Sequence, residues 1–298
     1  MVRNTSIDAL KGLLIICVII GHALYGSLND NILRYVIYTF HMPVFLFMSG
    51  YLFNYNKIST LTIRQLFQKY WNRMLLPWII ALLVYSVVLT ATNFTPLALI
   101  KRMAHPYYHL WYVPTLFTFI ILTWLSSHIK NKSIAIVILI SLGLLMDSLY
   151  VQSSAIRLNY LIFFAVGVMA RISGMSVKNL RLGGGILFLF LLVVTILSTF
   201  NVTMDFYIRH LRIPFMMCLC LLSVLPIVLL DKFQCLILSY IGEHSLEIYL
   251  WHVLPIIILK HFIDDAQELY LYYLLITVFL IMMLVYSWFK TIKLTIKK

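Results

Sequence analysis

His22, Lys11 and Asp8 share one face of the first apolar stretch of this 298-residue chain. An ionisable group inside a membrane helix costs roughly 2.5–3.5 kcal/mol even by insertion measurements, so its presence asks for a function. An imidazole changes protonation near neutral pH and can therefore take a proton and return it. At about 100° and 1.5 Å per residue, Lys11 and His22 fall within about 20° of one another around a helix and roughly 16 Å apart along it. The second stretch runs back and carries His41 roughly 9 Å below the boundary from which His22 lies about 7 Å. In the ninth stretch Ser245, Tyr249 and His252 recur at i, i+4 and i+7, a single polar stripe ending about 10 Å from the same side. His109 opens the fourth stretch near that surface, so four histidines share a layer.

Pro43, Pro114 and Pro255 follow three of those histidines by two to five residues. A helical proline leaves the carbonyl four residues earlier without its partner, and broken backbone at membrane depth is tolerated where it lines a cavity or is buried. A polar pocket opening outward is the expectation. The plainer alternatives are that a single histidine serves as an interhelical hydrogen-bond partner and that proline kinks serve packing alone. Trp111, Tyr112, Tyr107 and Tyr108 read as an interfacial aromatic belt before they read as a sugar-stacking platform. Glu243 and Glu247 share a different face from His252, and Gly183 to Gly185 read as a flexible helix start.

The elements that must position these residues follow from composition. The chain is 62% hydrophobic and 11% charged, with a mean hydropathy of +0.96, more apolar than any water-soluble core of this length needs. Apolar runs of about 18–23 residues bounded by polar clusters fall at 9–27, 35–53, 75–93, 109–127, 133–150, 158–174, 183–200, 213–230, 237–259 and 269–289. The fold class expected is an all-α polytopic membrane bundle of about ten transmembrane helices, residues 1–298 forming one domain. With both termini inside, fifteen lysines and arginines fall in inner stretches and seven in outer ones, with Lys11 left in the first helix. That bias predicts an N-in, C-in topology. The net charge of +13 is then mostly topological and gives no reason to expect nucleic acid as a partner. Cys17, Cys218, Cys220 and Cys235 lie in or beside apolar runs, where cysteine acts as a small hydrophobe. Neither a disulfide framework nor a metal site is expected.

Four stretches carry a resemblance: RNTSIDALKGLLIICVIIGHAL (3–24), YTFHMPVFLFMSGYLF (38–53), HLWYVPTLF (109–117) and IGEHSLEIYLWHVL (241–254). Through them the chain resembles the integral-membrane acyltransferase-3 family, and within it the fucose 4-O-acetylase-like branch. A basic residue, ten further residues and then His in the first helix is the most specific feature, here Lys11 and His22. The family's two arginines separated by two residues before the third helix are only approximated by QKYWNRMLLP, where Arg73 holds the second place and Tyr70 the first, with Lys69 beside it.

The resemblance implies transfer of an acyl group, usually acetyl from acetyl-CoA in the cytoplasm, to a hydroxyl of a surface glycan or its lipid-linked precursor. It implies a multi-pass plasma-membrane (inner-membrane) protein of bacterial kind, with acyl-CoA as co-substrate, no bound cofactor, and self-association left open. No appended extracellular hydrolase-like domain, which some relatives carry, is expected. Lys11, Lys69 and Arg73 would hold the phosphates of coenzyme A by charge-assisted contacts. His22 would be the general base or acyl-accepting residue and His41 its partner, orienting it or stabilising the oxyanion. Ser245, Tyr249, His252 and Trp111 are candidates for acceptor contacts or oxyanion donation. Helices with polar residues at a common depth also fit a transporter or lipid-linked sugar flippase, but no internal symmetry is visible.

Overall fold

The computed structural model describes residues 5–25, 31–90, 95–148, 156–174, 235–260 and 266–296. Among them every regular element is helical. The seventh and eighth apolar runs, and Gly183 to Gly185, lie outside the described residues. The helices are α1 (Thr5–Ala23), α2 (Ile32–Tyr51), α3 (Tyr55–Ile58), α4 (Ile63–Tyr70), α5 (Leu76–Thr90), α6 (Pro96–Ala104), α7 (Tyr112–Ser126), α8 (Lys132–Ser148), α9 (Leu161–Ile172), α10 (Leu236–Glu243), α11 (Ser245–Trp251), α12 (Val253–Lys260) and α13 (Ala266–Ile296). Among the described residues, three stretches are long and apolar enough to cross a membrane: Thr5–Ala23, Ile63–Leu89 and Leu269–Phe289. The last exposes Tyr270, Leu274, Met282 and Tyr286, a surface suited to lipid and not to water.

The chain divides into two compact units, one of residues 1–45 and 176–298, the other of 46–175. In the first, α1 lies backbone to backbone against α10. A Cβ added at Gly12 would collide with the Leu238 carbonyl, and one at Gly242 with the Asp8 carbonyl. Small residues that let helix backbones touch are the usual device where the solvent is as apolar as the side chains. Ile19 and Ala23 of α1, Ile256 of α12, and Tyr272 and Ile276 of α13 close an apolar cluster at the other end of α1. The Tyr272 hydroxyl donates to the Ala23 carbonyl at 2.6 Å, so the end of α1 beside His22 is pinned.

The ninth apolar run is not one helix. It forms α10, α11 and α12, with breaks at His244 and His252. His244 Nδ1 lies 3.0 Å from the Tyr240 carbonyl, and His252 Nδ1 lies 3.1 Å from that of Ile248 and 2.9 Å from that of Tyr249. Side chains thus compete with the backbone for the last carbonyls of each piece, a local effect that apolar patterning does not register. Two of the three prolines also fall otherwise than expected. Pro114 and Pro255 are third residues of α7 and α12, where a first-turn N–H has no intrahelical acceptor to lose. The carbonyl four residues before Pro114, that of Leu110, accepts the Trp78 indole N–H at 2.9 Å. Pro43 alone of the three lies well inside its helix, α2.

In the second unit, α2 continues to Tyr51 and meets α9 through another glycine pair. A Cβ at Gly50 would strike the Phe164 carbonyl and one at Gly167 that of Phe47. Thr62 caps α4 with Gln65 returning the bond, a reciprocal capping box. The helix then passes through a π turn at Trp71–Leu75 before α5. Such turns shift side-chain register and are frequent at functional sites.

Candidate active site

The first unit gathers His22, Tyr38, His41 and His252. The Tyr38 hydroxyl lies 3.1 Å from His22 Nδ1, and the two rings meet edge to face at 5.5 Å. His252 approaches the His22 ring at 5.2 Å. Tyr38 is in turn 5.1 Å from the His41 ring, again edge to face. His22 and His41 are therefore linked through a phenol. Beside that phenol stands Arg34, whose guanidinium carbon is 5.4 Å from the ring centroid.

Hydrogen-bond directions assign roles to the ring nitrogens. His41 Nδ1 lies 2.6 Å from the Ile37 carbonyl, and a carbonyl only accepts, so Nδ1 carries the proton. The same argument applies to His252 against Ile248 and Tyr249. In their neutral forms both rings then present Nε2 as an acceptor, and neither has an N–H left for an oxyanion. His22 differs, because its partner is a hydroxyl that donates or accepts equally well. Its Nε2 can take up a proton while Nδ1–H donates to Tyr38, and no hydrogen bond is lost.

Lys260 and the aromatic residues of α13 fix this cluster from the C-terminal end of α1. The Lys260 ammonium donates to the His22 carbonyl at 3.0 Å and stands 5.9 Å from the Tyr272 ring centre. His41 and His252 are each 3% exposed. Tyr249 is buried with its ring 5.9 Å from His252, and Ser245 is buried on the same short helix α11.

Lys11 is held by a 2.8 Å ion pair with Asp8 one turn earlier. The remaining candidates belong to the second unit. Lys69 stands 5.2 Å from the Tyr70 ring centre, and its ammonium feels the charges of Lys57 and Arg73. Arg73 lies in the π turn. Trp111 is 7% exposed, with the Arg157 guanidinium 4.4 Å over its ring and Tyr160 5.5 Å away, so its face is already covered. His109, the fourth histidine of the expected layer, falls in the second unit. It precedes α7 in the second unit, buried with its ring 5.6 Å from Tyr85. Next to it Tyr108 adopts φ +40° and is exposed, an uncommon conformation for a bulky residue.

Tyr38 is the residue that sequence reasoning missed. It stands three residues before His41, hence on the same helical face, and that spacing was the available signal.

No curated protein and no solved structure matches the chain. The acyltransferase-3 family does, through its acyltransferase domain over residues 4–291. Family-wide extent and apolar helices make this a membrane protein with a membrane acyltransferase domain, and the chain belongs to the acyltransferase-3 family.

Proposed function

We propose that the chain is an acetyl-CoA-dependent O-acetyltransferase of the fucose 4-O-acetylase-like branch. It moves an acetyl group from the cytoplasmic donor to a hydroxyl of a cell-surface polysaccharide or its lipid-linked precursor. The observation that carries this reading is the His22 ring bonded at Nδ1 to Tyr38 and flanked by His252, within a chain that matches an acyltransferase family. A sugar hydroxyl is a poor nucleophile near neutral pH and must lose its proton as it attacks. His22 Nε2 takes that proton while the sugar oxygen bonds to the thioester carbonyl carbon. The carbonyl electrons become an oxyanion, for which the Ser245 and Tyr249 hydroxyls are the candidate donors in this unit. Collapse breaks the carbon–sulfur bond, and the thiolate recovers the proton from the His22 imidazolium. Tyr38 orients His22, and His41 braces Tyr38. Lys69 and Arg73 contribute positive charge for the donor phosphates, whereas Lys11 acts mainly through its pair with Asp8.

The same reading places the chain in a bacterial plasma membrane with ten spans and both termini in the cytoplasm, forming a single domain. Reporter fusions after Lys57, Lys178 and Lys298 should report cytoplasm, and fusions near Lys101 and Asp205 the outside. The activity itself is tested with the purified chain in nanodiscs, supplied with acetyl-CoA and an extract of lipid-linked sugars. Acetyl ester on the sugar, detected by mass spectrometry, supports the proposal. Acceptor transport without thiol release would replace it with a transporter.

A further inference from the structure

The second unit is rich in positive charge and poor in carboxylates of its own. Residues 46–175 contain ten lysines and arginines and a single carboxylate, Asp147. A cavity of about 260 Å³ opens at the turn around α3, lined by Phe53, Asn54, Tyr55, Asn56, Lys132 and Arg171 among others. Topology explains why lysine and arginine occupy loops, but not why the polar groups here are turned to donate. The Asn54 side-chain oxygen already accepts the Lys57 backbone N–H at 3.0 Å. That of Asn56 accepts the Lys132 ammonium at 2.8 Å. Each amide is left with its NH₂. Ser59 and Thr60 hydroxyls donate to the Asn56 and Lys57 backbone carbonyls, removing acceptors of the same turn from competition. The lining therefore presents two amide NH₂ groups, an ammonium and a guanidinium.

Lys132 is also the first residue of a 17-residue helix with no acidic residue in its first turn. A cation there opposes the helix dipole, and an anion bound beside it would relieve that opposition. Lys69 of the basic pair described above feels the charge of both Lys57, at this turn, and Arg73. Arg171 is held over the Tyr51 ring at 5.7 Å, which fixes the position of its guanidinium at the cavity.

We propose that this cavity is a binding site for a phosphate monoester, with Lys132, Arg171 and the Asn54 and Asn56 amides as its donors. Resting on the acyl-CoA reading above, the ligand is the 3′-phosphate of the donor nucleotide, with Lys69 and Arg73 beside it for the pyrophosphate. A phosphate monoester on a lipid headgroup has the same chemistry, and the experiment separates the two sources.

Adenosine 3′,5′-bisphosphate binding is measured on the full chain in nanodiscs of zwitterionic lipid. The wild type should bind it at least about tenfold more tightly than the Lys132→Ala/Arg171→Ala variant, the loss of one charge-assisted contact or more. The Lys132→Arg variant should retain binding. 5′-AMP should bind the wild type about as weakly as the double variant binds the bisphosphate. In transfer assays the double variant should raise KM about tenfold for acetyl-CoA and leave that for acetyl-3′-dephospho-CoA at the wild-type value. Variant-dependent bisphosphate binding without transfer from either donor would retain the site and reject the acyl-CoA reading. Binding of phosphatidic acid nanodiscs, but not of bisphosphate, in a manner lost with Lys132 and Arg171 would overturn the nucleotide assignment. Equal bisphosphate affinity of wild type and double variant would overturn the site.

Discussion

The two units of this chain differ in what their polar residues do. The first unit's sequence holds thirteen lysines and arginines against nine carboxylates, and its buried polar cluster is imidazole and phenol. The second holds ten against one, and its cations line a turn and a cavity. Imidazoles linked through hydroxyls and carbonyls suit proton transfer, where small changes of protonation do the work. An excess of cations suits the capture of phosphate, where charge-assisted contacts supply affinity. Under the proposed function, the first unit would carry the chemistry and the second the binding of the anionic donor.

The comparison breaks most completely through the backbone contacts that hold the first unit. Gly242→Val and Gly12→Val should each yield no folded protein by size exclusion in detergent, because the added carbons meet backbone carbonyls that cannot turn aside. Gly174→Ala is the matching control. It has φ +56° and nothing within 4 Å of an added Cβ, so it should cost only about 1–2 kcal/mol of left-handed strain.

His41→Ala should lower kcat by about 10²-fold or more and leave the donor KM unchanged if, as proposed, its ring serves to brace Tyr38. Combined with His22→Ala it should be hardly worse than His22→Ala alone, because members of one constellation are non-additive. Steady-state kinetics on equal amounts of each folded variant would show this, and additive losses would separate the two histidines.

The second unit should show the opposite pattern. Lys69→Ala with Arg73→Ala should raise the donor KM about tenfold or more while kcat changes little. An unchanged KM would return this basic pair to a purely topological role. The smallest effect is expected from Tyr38→Phe, which keeps the ring contacts with His22 and His41 and removes only the hydroxyl. A loss of about tenfold in kcat, with the protein fully folded, would sharpen the assignment of Tyr38 as the group that orients His22.

Much of this division was legible in the chain, and the gaps have physical causes. The apolar runs locate the described spans, but α1 begins at Thr5, four residues ahead of the run at 9–27. Ser6 and Asp8 are polar and nonetheless buried, so helix and apolar run do not coincide. At the third apolar run (75–93) the helical stretch likewise begins earlier, at Ile63, through the amphipathic, capped α4. His22, His41 and His252, expected at a shared depth, fall in one cluster with Tyr38, while His109 belongs to the second unit. Tyr38 was hidden because a tyrosine near a membrane boundary reads first as an interfacial anchor. The breaks at His244 and His252 depend on which carbonyl each ring reaches, which no periodicity encodes. The Trp78 bond to Leu110 spans 32 residues and is invisible to local pattern.

The central claim is that His22 moves the proton in acyl transfer. The direct measurement is single-turnover transfer of acetyl from a saturating donor by His22→Gln in nanodiscs, compared with wild type at matched folded concentration. The account predicts a rate lowered by about 10²–10⁴-fold with donor affinity retained. Transfer at the wild-type rate would contradict it and leave His22 as an interhelical hydrogen-bond partner of Tyr38.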